Sequence, residues 1–288
     1  MLGILVLALA GCTNNESSSS GPSSATTKVE ATKVPEIAAL LPEKIKSSGQ
    51  LIVGVNVPYS PNEFKDPSGK IVGFDVDLMN AIGGVLGVTP VYKEADFDKI
   101  IPAIQAGTYD VGMSSFTDSK EREKQVDFVT YYSAGVQWAQ RKGSNIDPNN
   151  ACGKRVAVQS TTVEDTDEIP AKSKACTDAG KPAIEKVKFD SQDQATNALV
   201  VGKVDAMSAD SPVTAYAIKR SDGALEPAGG VFESAPYGYP VAKGSALAKA
   251  LQQAVQHLID NGQYKQIAEN WGVQAGTIPT SVINGAVS

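Results

Sequence analysis

Two stretches of this chain, "FDKIIPAIQAGTYDVGMSS" at 97–115 and "QDQATNALVVGKVDAMSAD" at 192–210, superimpose without a gap at an offset of 95. Each begins as a helical pattern, passes a glycine (Gly107, Gly202) and an aspartate (Asp110, Asp205), and runs into a short apolar strand. A glycine just past a helix suits the left-handed conformation that closes its last turn. Each strand ends on a polar residue, Ser115 in one copy and Asp210 in the other. A helix–turn–strand unit written twice restricts the chain to two lobes of one kind.

The flanking patterns extend the repeat. "LIVGVN", "PVYKEA" and "YDVGMSS" read as strands, separated by a helix over "DVDLMNAIGGVLG", which opens at an acidic cap, and another over "FDKIIPAIQAG". The second half gives strands at "RVAVQS", "IEKVKF" and "VDAMSAD", with helices over "VEDTDEIPAKSKA" and "QDQATNALVVG". β-α-β-α-β order predicts α/β lobes, each a mainly parallel sheet flanked by helices. Ligands of open α/β sheets sit beyond the carboxyl ends of the strands. Those ends carry Asn56, Ser114 and Ser115 in one half and Gln159 and Asp210 in the other, with Arg122 at the end of the hydroxyl-rich loop "SSFTDSKER". Two such lobes facing each other would oppose an arginine to a carboxylate across a cleft, a fit for a ligand with separate negative and positive ends.

The N-terminus obeys different rules. "LGILVLALAGC" is about as long as a signal-peptide core and too short to span a membrane. Its close, Leu9-Ala10-Gly11-Cys12, resembles a bacterial lipobox, which implies a signal peptide at 1–11 and a lipid on Cys12. The Lys or Arg that usually opens such a signal is missing from Met1-Leu2-Gly3, which points to an atypical segment or a start placed too late. A buried N-terminal strand is the alternative, but the polar tract behind it offers nothing to pair with. The Ser/Thr-rich run from Thr13 to about Val34 buries too little apolar surface to fold and reads as a flexible tether. It would hold the body on the order of 25 Å from a membrane. Of three cysteines, Cys152 and Cys176 remain. Outside the cytoplasm they read as a disulfide, with buried free thiols the alternative; their spacing suits neither zinc nor a redox motif. A net charge of −6 with no basic stripe argues against nucleic acid.

Gly73-Phe74-Asp75-Val76-Asp77-Leu78 and the run "MNAIGGVL" after it resemble the signature of the family 3 extracellular solute-binding proteins, the polar amino-acid receptors of ABC importers. "FDKIIPAIQAGTYDV", "KEREKQVDF", "VAVQSTT", "GKVDAMSADSPV" and "PYGYPVAKGS" follow in the family's order, so the resemblance covers about 50 to 272. It implies a two-lobe periplasmic-binding-protein-like fold of type II, with lobe 1 at 48–135 plus 234–288 and lobe 2 at 136–233. A lead-in at 12–47 precedes them, and the two hinge crossings fall near 133–138 and 230–236. The C-terminal helices would pack back on lobe 1 through a stripe of Leu247, Leu251, Val255, Leu258 and Ile259.

The resemblance also assigns a site. Arg122 would clamp a ligand α-carboxylate bidentately, aided by the backbone N–H of Thr162 or Val163 at a helix start. Asp210 would accept from the ammonium, with the Ser115 carbonyl and the Thr117 hydroxyl. Tyr59 and Phe97 would stack around the ligand, and Asn56 and Gln159 would read its side chain. Taken locally, each residue has a plainer role. Arg122 in "KEREKQ" is a solvated helix charge, Asp210 before Ser211-Pro212 is a helix cap, and the aromatics are core or rim. Asp75 and Asp77 could pass for paired catalytic carboxylates, yet they open a helix whose dipole favours anions there.

Asn56 and Gln159, a neutral amide pair, point to an uncharged polar side chain such as glutamine or asparagine. Thr161 stands where a glycine is common, and Pro61-Asn62 replaces a more usual Pro-Phe. The partners implied are a small amino acid, the transmembrane permease subunits and the membrane through the Cys12 lipid, with the body a monomer outside the cytoplasm. No cofactor or metal is implied. The rivals are an enzyme on the same fold, resembling the periplasmic cyclohexadienyl dehydratases, and a sensor domain. Glu164 and Asp165 near the cleft keep the first open. The sole histidine, His257, falls off the apolar stripe and is expected to face solvent; no Ser-His pairing, HExxH, GxGxxG or P-loop occurs. A chain ending on return helices, with no signalling segment, disfavours the second.

Overall fold

The structure is a computed structural model and describes residues 29–287. Cys12, the signal segment and the tether up to residue 28 lie outside the described residues. Helices α1 (Pro35–Ala38) and α2 (Glu43–Ser48) lead into β1 (Gln50–Val55), and a small hairpin of β2 (Phe64–Lys65) and β3 (Ile71–Val72) follows. The first lobe continues through α3 (Phe74–Leu86), β4 (Thr89–Glu94), α4 (Phe97–Gln105), β5 (Val111–Gly112) and the one-turn α5 (Lys120–Glu123). Strand β6 (Val126–Arg141) crosses to the second lobe. There β7 (Arg155–Gln159), a π-helical turn at Glu164–Glu168, α6 (Ile169–Asp178), β8 (Glu185–Phe189), α7 (Gln192–Val200), β9 (Ala206–Asp210) and α8 (Ser211–Arg220) follow. Strand β10 (Leu225–Ala242) returns, and α9 (Ala246–Asp260) and α10 (Gln263–Trp271) close the first lobe.

A single eight-stranded sheet runs through both lobes in the order β4-β1-β5-β10-β6-β9-β7-β8. β1 pairs in parallel with β4 and β5, and β7 in the same way with β8 and β9. The antiparallel β6–β10 ribbon joins the halves: β5 meets β10 at Val241, and β9 meets β6 from Val136 to Gln140. Register breaks at 228/232, 232/235 and 237/238 interrupt this ribbon. The fold is therefore the α/β, two-lobe, type II arrangement, with two crossing strands. These crossing strands are the longest elements, yet the sequence marks them only as crossing points. β6 is buried along nearly its whole length, so it lacks the alternation of a half-exposed strand. β10 carries Pro227, Pro236 and Pro240, which argue locally against a strand.

The duplication is realised atom for atom. Gly107 and Gly202 both take left-handed backbone, φ +74° and +78°, just past α4 and α7. Asp110 Oδ2 accepts from Ile52 N at 2.9 Å, and Asp205 Oδ2 from Arg155 N at 2.9 Å. Each aspartate ties the last strand of its unit to the first strand of its lobe. The expected stripe on α9 is buried at Leu247, Leu251, Val255 and Leu258 and partly buried at Ile259, packed with Phe74, Leu78 and Ile82 of α3. Each fully buried side chain of this kind contributes roughly 1.5–3 kcal/mol. A second core joins Trp138, Val156, Val158 and Ile169 beside the Cys152–Cys176 disulfide, whose Cα atoms stand 5.5 Å apart.

Three local expectations are corrected. Residues 29–34 are docked on the first lobe rather than free: Val29, Ala31 and Val34 pack on its core, and Val34 N donates to Val85 O. Gly84 of α3 makes room for this, since a Cβ there would stand 2.6 Å from the Ala31 carbonyl oxygen. The acidic opening of α3 is not its cap. Gly73 holds that position and Asp75 and Asp77 lie inside the first turn. The helix expected over "VEDTDEIPAKSKA" begins as a π turn. Pro170 has no N–H for the Thr166 carbonyl and its ring crowds it, and a wider turn ahead of the proline relieves both.

Candidate functional site

At the carboxyl ends of β1, β5, β7 and β9 the two lobes meet around a small, nearly filled cavity. Asn56, Tyr59, Phe97, Ser114, Ser115, Thr117 and Arg122 line it from the first lobe, and Gln159, Thr162, Val163, Glu164 and Asp210 from the second. The ten nominated residues are thus brought to one place. Ser114 and Glu164 line it as well. The sequence places both near the cleft, Ser114 with no role and Glu164 only as an acid of the rival enzyme, because neither carries a motif.

Among the described residues three side-chain hydrogen bonds cross the cleft. Tyr59 Oη donates to Asp210 Oδ2 at 2.6 Å, Gln159 Nε2 to Asn56 Oδ1 at 2.9 Å, and Arg122 Nη2 to the Thr161 carbonyl at 3.1 Å. The two amides therefore face each other as well as the cavity. Gln159 Nε2 also donates to Asp190 O, and Asn56 Nδ2 to Ala95 O. Arg122 sits on one-turn α5, capped by the Ser119 hydroxyl, and its Nη1 donates to Thr117 O at 2.9 Å. Its guanidinium lies over the stacked rings of Phe97 and Phe116, 5.6 Å from each centroid. Burial lowers its pKa, while Glu164 and Asp210 push the other way, so a half-buried cation persists. It is not the solvated helix charge of the local reading.

Asp210 takes the N-cap position of α8 but makes no side-chain cap bond; its carboxylate turns to Tyr59 instead. Burial raises its pKa to about 6, against the pull of Tyr59 and Arg122. Glu164 is 1% exposed, and its Oε1 has no hydrogen-bond partner among the described residues. Burial and the Asp210 charge push it up to about 8, opposed by Arg122. Thr162 and Val163 lead into the π turn, at a helix start where N–H groups lack intrahelical acceptors. Thr161 just before them sits at φ +65°, which explains why a glycine suits this position and marks local strain at the cleft.

The hydroxyl loop is held from behind. Ser114 Oγ donates to Glu63 Oε1 at 2.8 Å, and Ser115 N and Oγ both donate to Asp75 Oδ2 at 3.2 Å. Tyr131 Oη adds a 2.6 Å bond to the same oxygen. Asp75 is fully buried, so it serves this network rather than a solvated helix end, whereas Asp77 accepts from Trp271 Nε1. Burial and the neighbouring Asp75 charge raise Glu63 well above the usual carboxylate range. Asp165 is held below its ordinary value despite burial, by Lys186, Lys188 and the Thr161 N–H. His257 is half-buried on α9, not solvent-facing, and does not line the cavity. Among the described residues no cluster of three or more His, Cys, Asp or Glu could hold a metal ion, and no helix is long and apolar enough to cross a membrane.

The cavity presents one guanidinium from the first lobe and two carboxyl groups from the second. It is 42% identical over 278 residues to the arginine-binding protein ArgT of Corynebacterium glutamicum, covering 96% of this chain and 91% of that one. An ancestral arginine-binding protein bound to arginine superimposes with a TM-score of 0.71 at 36% identity, over 77% of this chain and 98% of that one. An ancestral amino acid-binding protein, a precursor of cyclohexadienyl dehydratase, gives a TM-score of 0.70 at 31% identity, over 81% and 99%. These relatives are binding proteins by name, not enzymes. The model of the bacterial extracellular solute-binding proteins, family 3, matches residues 51–274, and the chain belongs to that family.

Proposed function

We propose that this protein captures a polar α-amino acid between its lobes and delivers it to the membrane permease of an ABC importer. The observation that carries this reading is the pairing of Arg122 with Asp210 from opposite lobes on one cavity. A zwitterion leaving water needs a partner for each charge, or desolvation costs several kcal/mol. Arg122 takes the carboxylate with Thr162 and Val163, and Asp210 takes the ammonium with Ser115 and Thr117. Tyr59 and Phe97 flank the ligand. Lobes at 48–135 plus 234–288 and at 136–233 swing about the β6–β10 ribbon, and the ligand shifts their equilibrium toward the closed form. The arginine-binding names among the relatives make arginine the first ligand to test. Asn56 and Gln159 support a second reading, glutamine or asparagine, whose carboxamide would replace their mutual hydrogen bond.

The test is a thermal-shift screen against the twenty amino acids. A ligand at a hundred times its Kd stabilises the native state by about 2.7 kcal/mol. A rise with arginine, or with glutamine or asparagine, supports the reading and ranks its two versions. No rise with any amino acid removes it. We place the working protein as a monomer outside the cytoplasm, anchored through a lipid on Cys12. Cys12→Ala is expected to move it from the membrane fraction to the soluble fraction, and an unchanged distribution on fractionation would remove the anchor.

A further inference from the structure

The charges around the cavity do not balance for a neutral zwitterion. Arg122 and Asp210 are taken by the carboxylate and ammonium on the reading above, and Glu164 is left over. The charged and titratable groups facing it are Tyr59 and Arg122 from the first lobe and Asp210 and Glu168 from the second. Glu168 is occupied by Trp138 Nε1 at 2.9 Å and Ser208 Oγ at 2.8 Å. Lys186 and Lys188 are bound to Asp165, and among the described residues no lysine lines the cavity. Glu164 thus lines the space where a ligand would lie with a buried carboxyl, one of whose oxygens has no hydrogen-bond partner among the described residues.

We propose that Glu164 is a specificity-determining residue, the third ionic partner that favours α-amino acids with a cationic side chain over neutral ones. This rests on the Arg122–Asp210 reading. A ligand of net charge +1 pairs every charged group lining the cavity, whereas a neutral amino acid leaves Glu164 without a counter-ion, a state that burial makes unfavourable. Protonation relieves it. Burial and Asp210 place Glu164 at about 8, so near pH 7 it largely keeps its proton until a cation arrives. Binding a cationic side chain converts the carboxylic acid to the carboxylate and releases that proton to solvent. Binding a neutral amino acid leaves the proton in place. Asp210, raised to about 6, meets the ammonium of either ligand and so does not alter the difference between them.

The experiment is titration calorimetry of the full chain with arginine and with glutamine, each in two buffers of different ionisation enthalpy. Glu164 predicts a release close to one proton larger for arginine than for glutamine near pH 7. Its affinity preference for arginine should grow as pH rises from 6 to 8. Glu164→Gln is expected to lower the arginine-to-glutamine affinity ratio roughly tenfold or more and abolish the excess proton release. Glu164→Asp, which keeps the charge, should retain both in part, and a single cooperative melting transition shows that the variants fold. An unchanged ratio, or an undiminished proton release in Glu164→Gln, would overturn the role of Glu164 alone. A wild-type chain that binds neither probe would overturn this inference, and the reading beneath it falls with it only if no other amino acid raises the melting temperature.

Discussion

Arg122 shows how much one residue's meaning depends on its neighbours. In the string "KEREKQ" it is an ordinary helix charge, and nothing local separates it from Lys120 or Lys124. In the fold it is half-buried, laid over two phenyl rings and directed at the opposite lobe. Arg122→Ala is expected to weaken amino-acid binding on the order of a hundredfold or more, because it leaves a buried ligand carboxylate unpaired. Calorimetry measures the loss, and the melting temperature of the ligand-free chain should change little. Retained affinity would remove the carboxylate clamp. Asn56 and Gln159 show the converse. They look like free readers of a side chain in the sequence, but each already has a partner in the other.

At the scale of elements, the β-α-β units were legible almost throughout, because helix and strand periods and glycine stops are local signals. Asp110 and Asp205 could be aligned from sequence, but their shared task, accepting from a backbone N–H of the neighbouring first strand, needed the sheet. Asp205→Ala should cost about 1–3 kcal/mol through that orphaned N–H. Its ion pair with Arg155, 40% exposed on the arginine, adds little after screening. Urea unfolding reads the change, and a loss well below 0.5 kcal/mol, the low end of a net hydrogen bond, would contradict the assignment. Replacing Cys152 and Cys176 together by serine should remove roughly 3 kcal/mol in the chain-entropy account of a loop this long. Reduced and oxidised chains with equal midpoints would speak against it.

For the molecule as a whole, the buried carboxylates set the pH response. Asp75 and Asp210 are raised to about 6, Asp118 and Glu168 to about 7, and Glu164 to about 8, burial being the first cause in each case. These groups bind protons more tightly folded than unfolded. Their contribution to stability is therefore complete below the ordinary carboxylate range and lost as pH rises through 6 to 8. Asp127, Asp165 and Asp205 are lowered, and theirs is present above that range and lost as pH falls. The ligand-free chain should be most stable at mildly acidic pH, its melting temperature dropping toward pH 8.5. Glu164→Gln should flatten the fall between its ordinary value of 4.5 and about 8. A melting temperature that climbs steadily from pH 5 to 8.5 would refute the balance.

By itself the sequence determined the two like lobes, their helices and strands, the opposed ends of the strands and the residue types gathered there. It could do so because periodicity, duplication and glycine punctuation act over a few residues. Only the tertiary structure decided that the crossing strands form one continuous ribbon and that Asp75 is buried behind the hydroxyl loop. It alone showed that the two amides meet and that Glu164 lines the cavity and has an unpaired oxygen. Burial and pairing are sums over residues distant in the chain, and a carboxylate's role is fixed by which of them surround it.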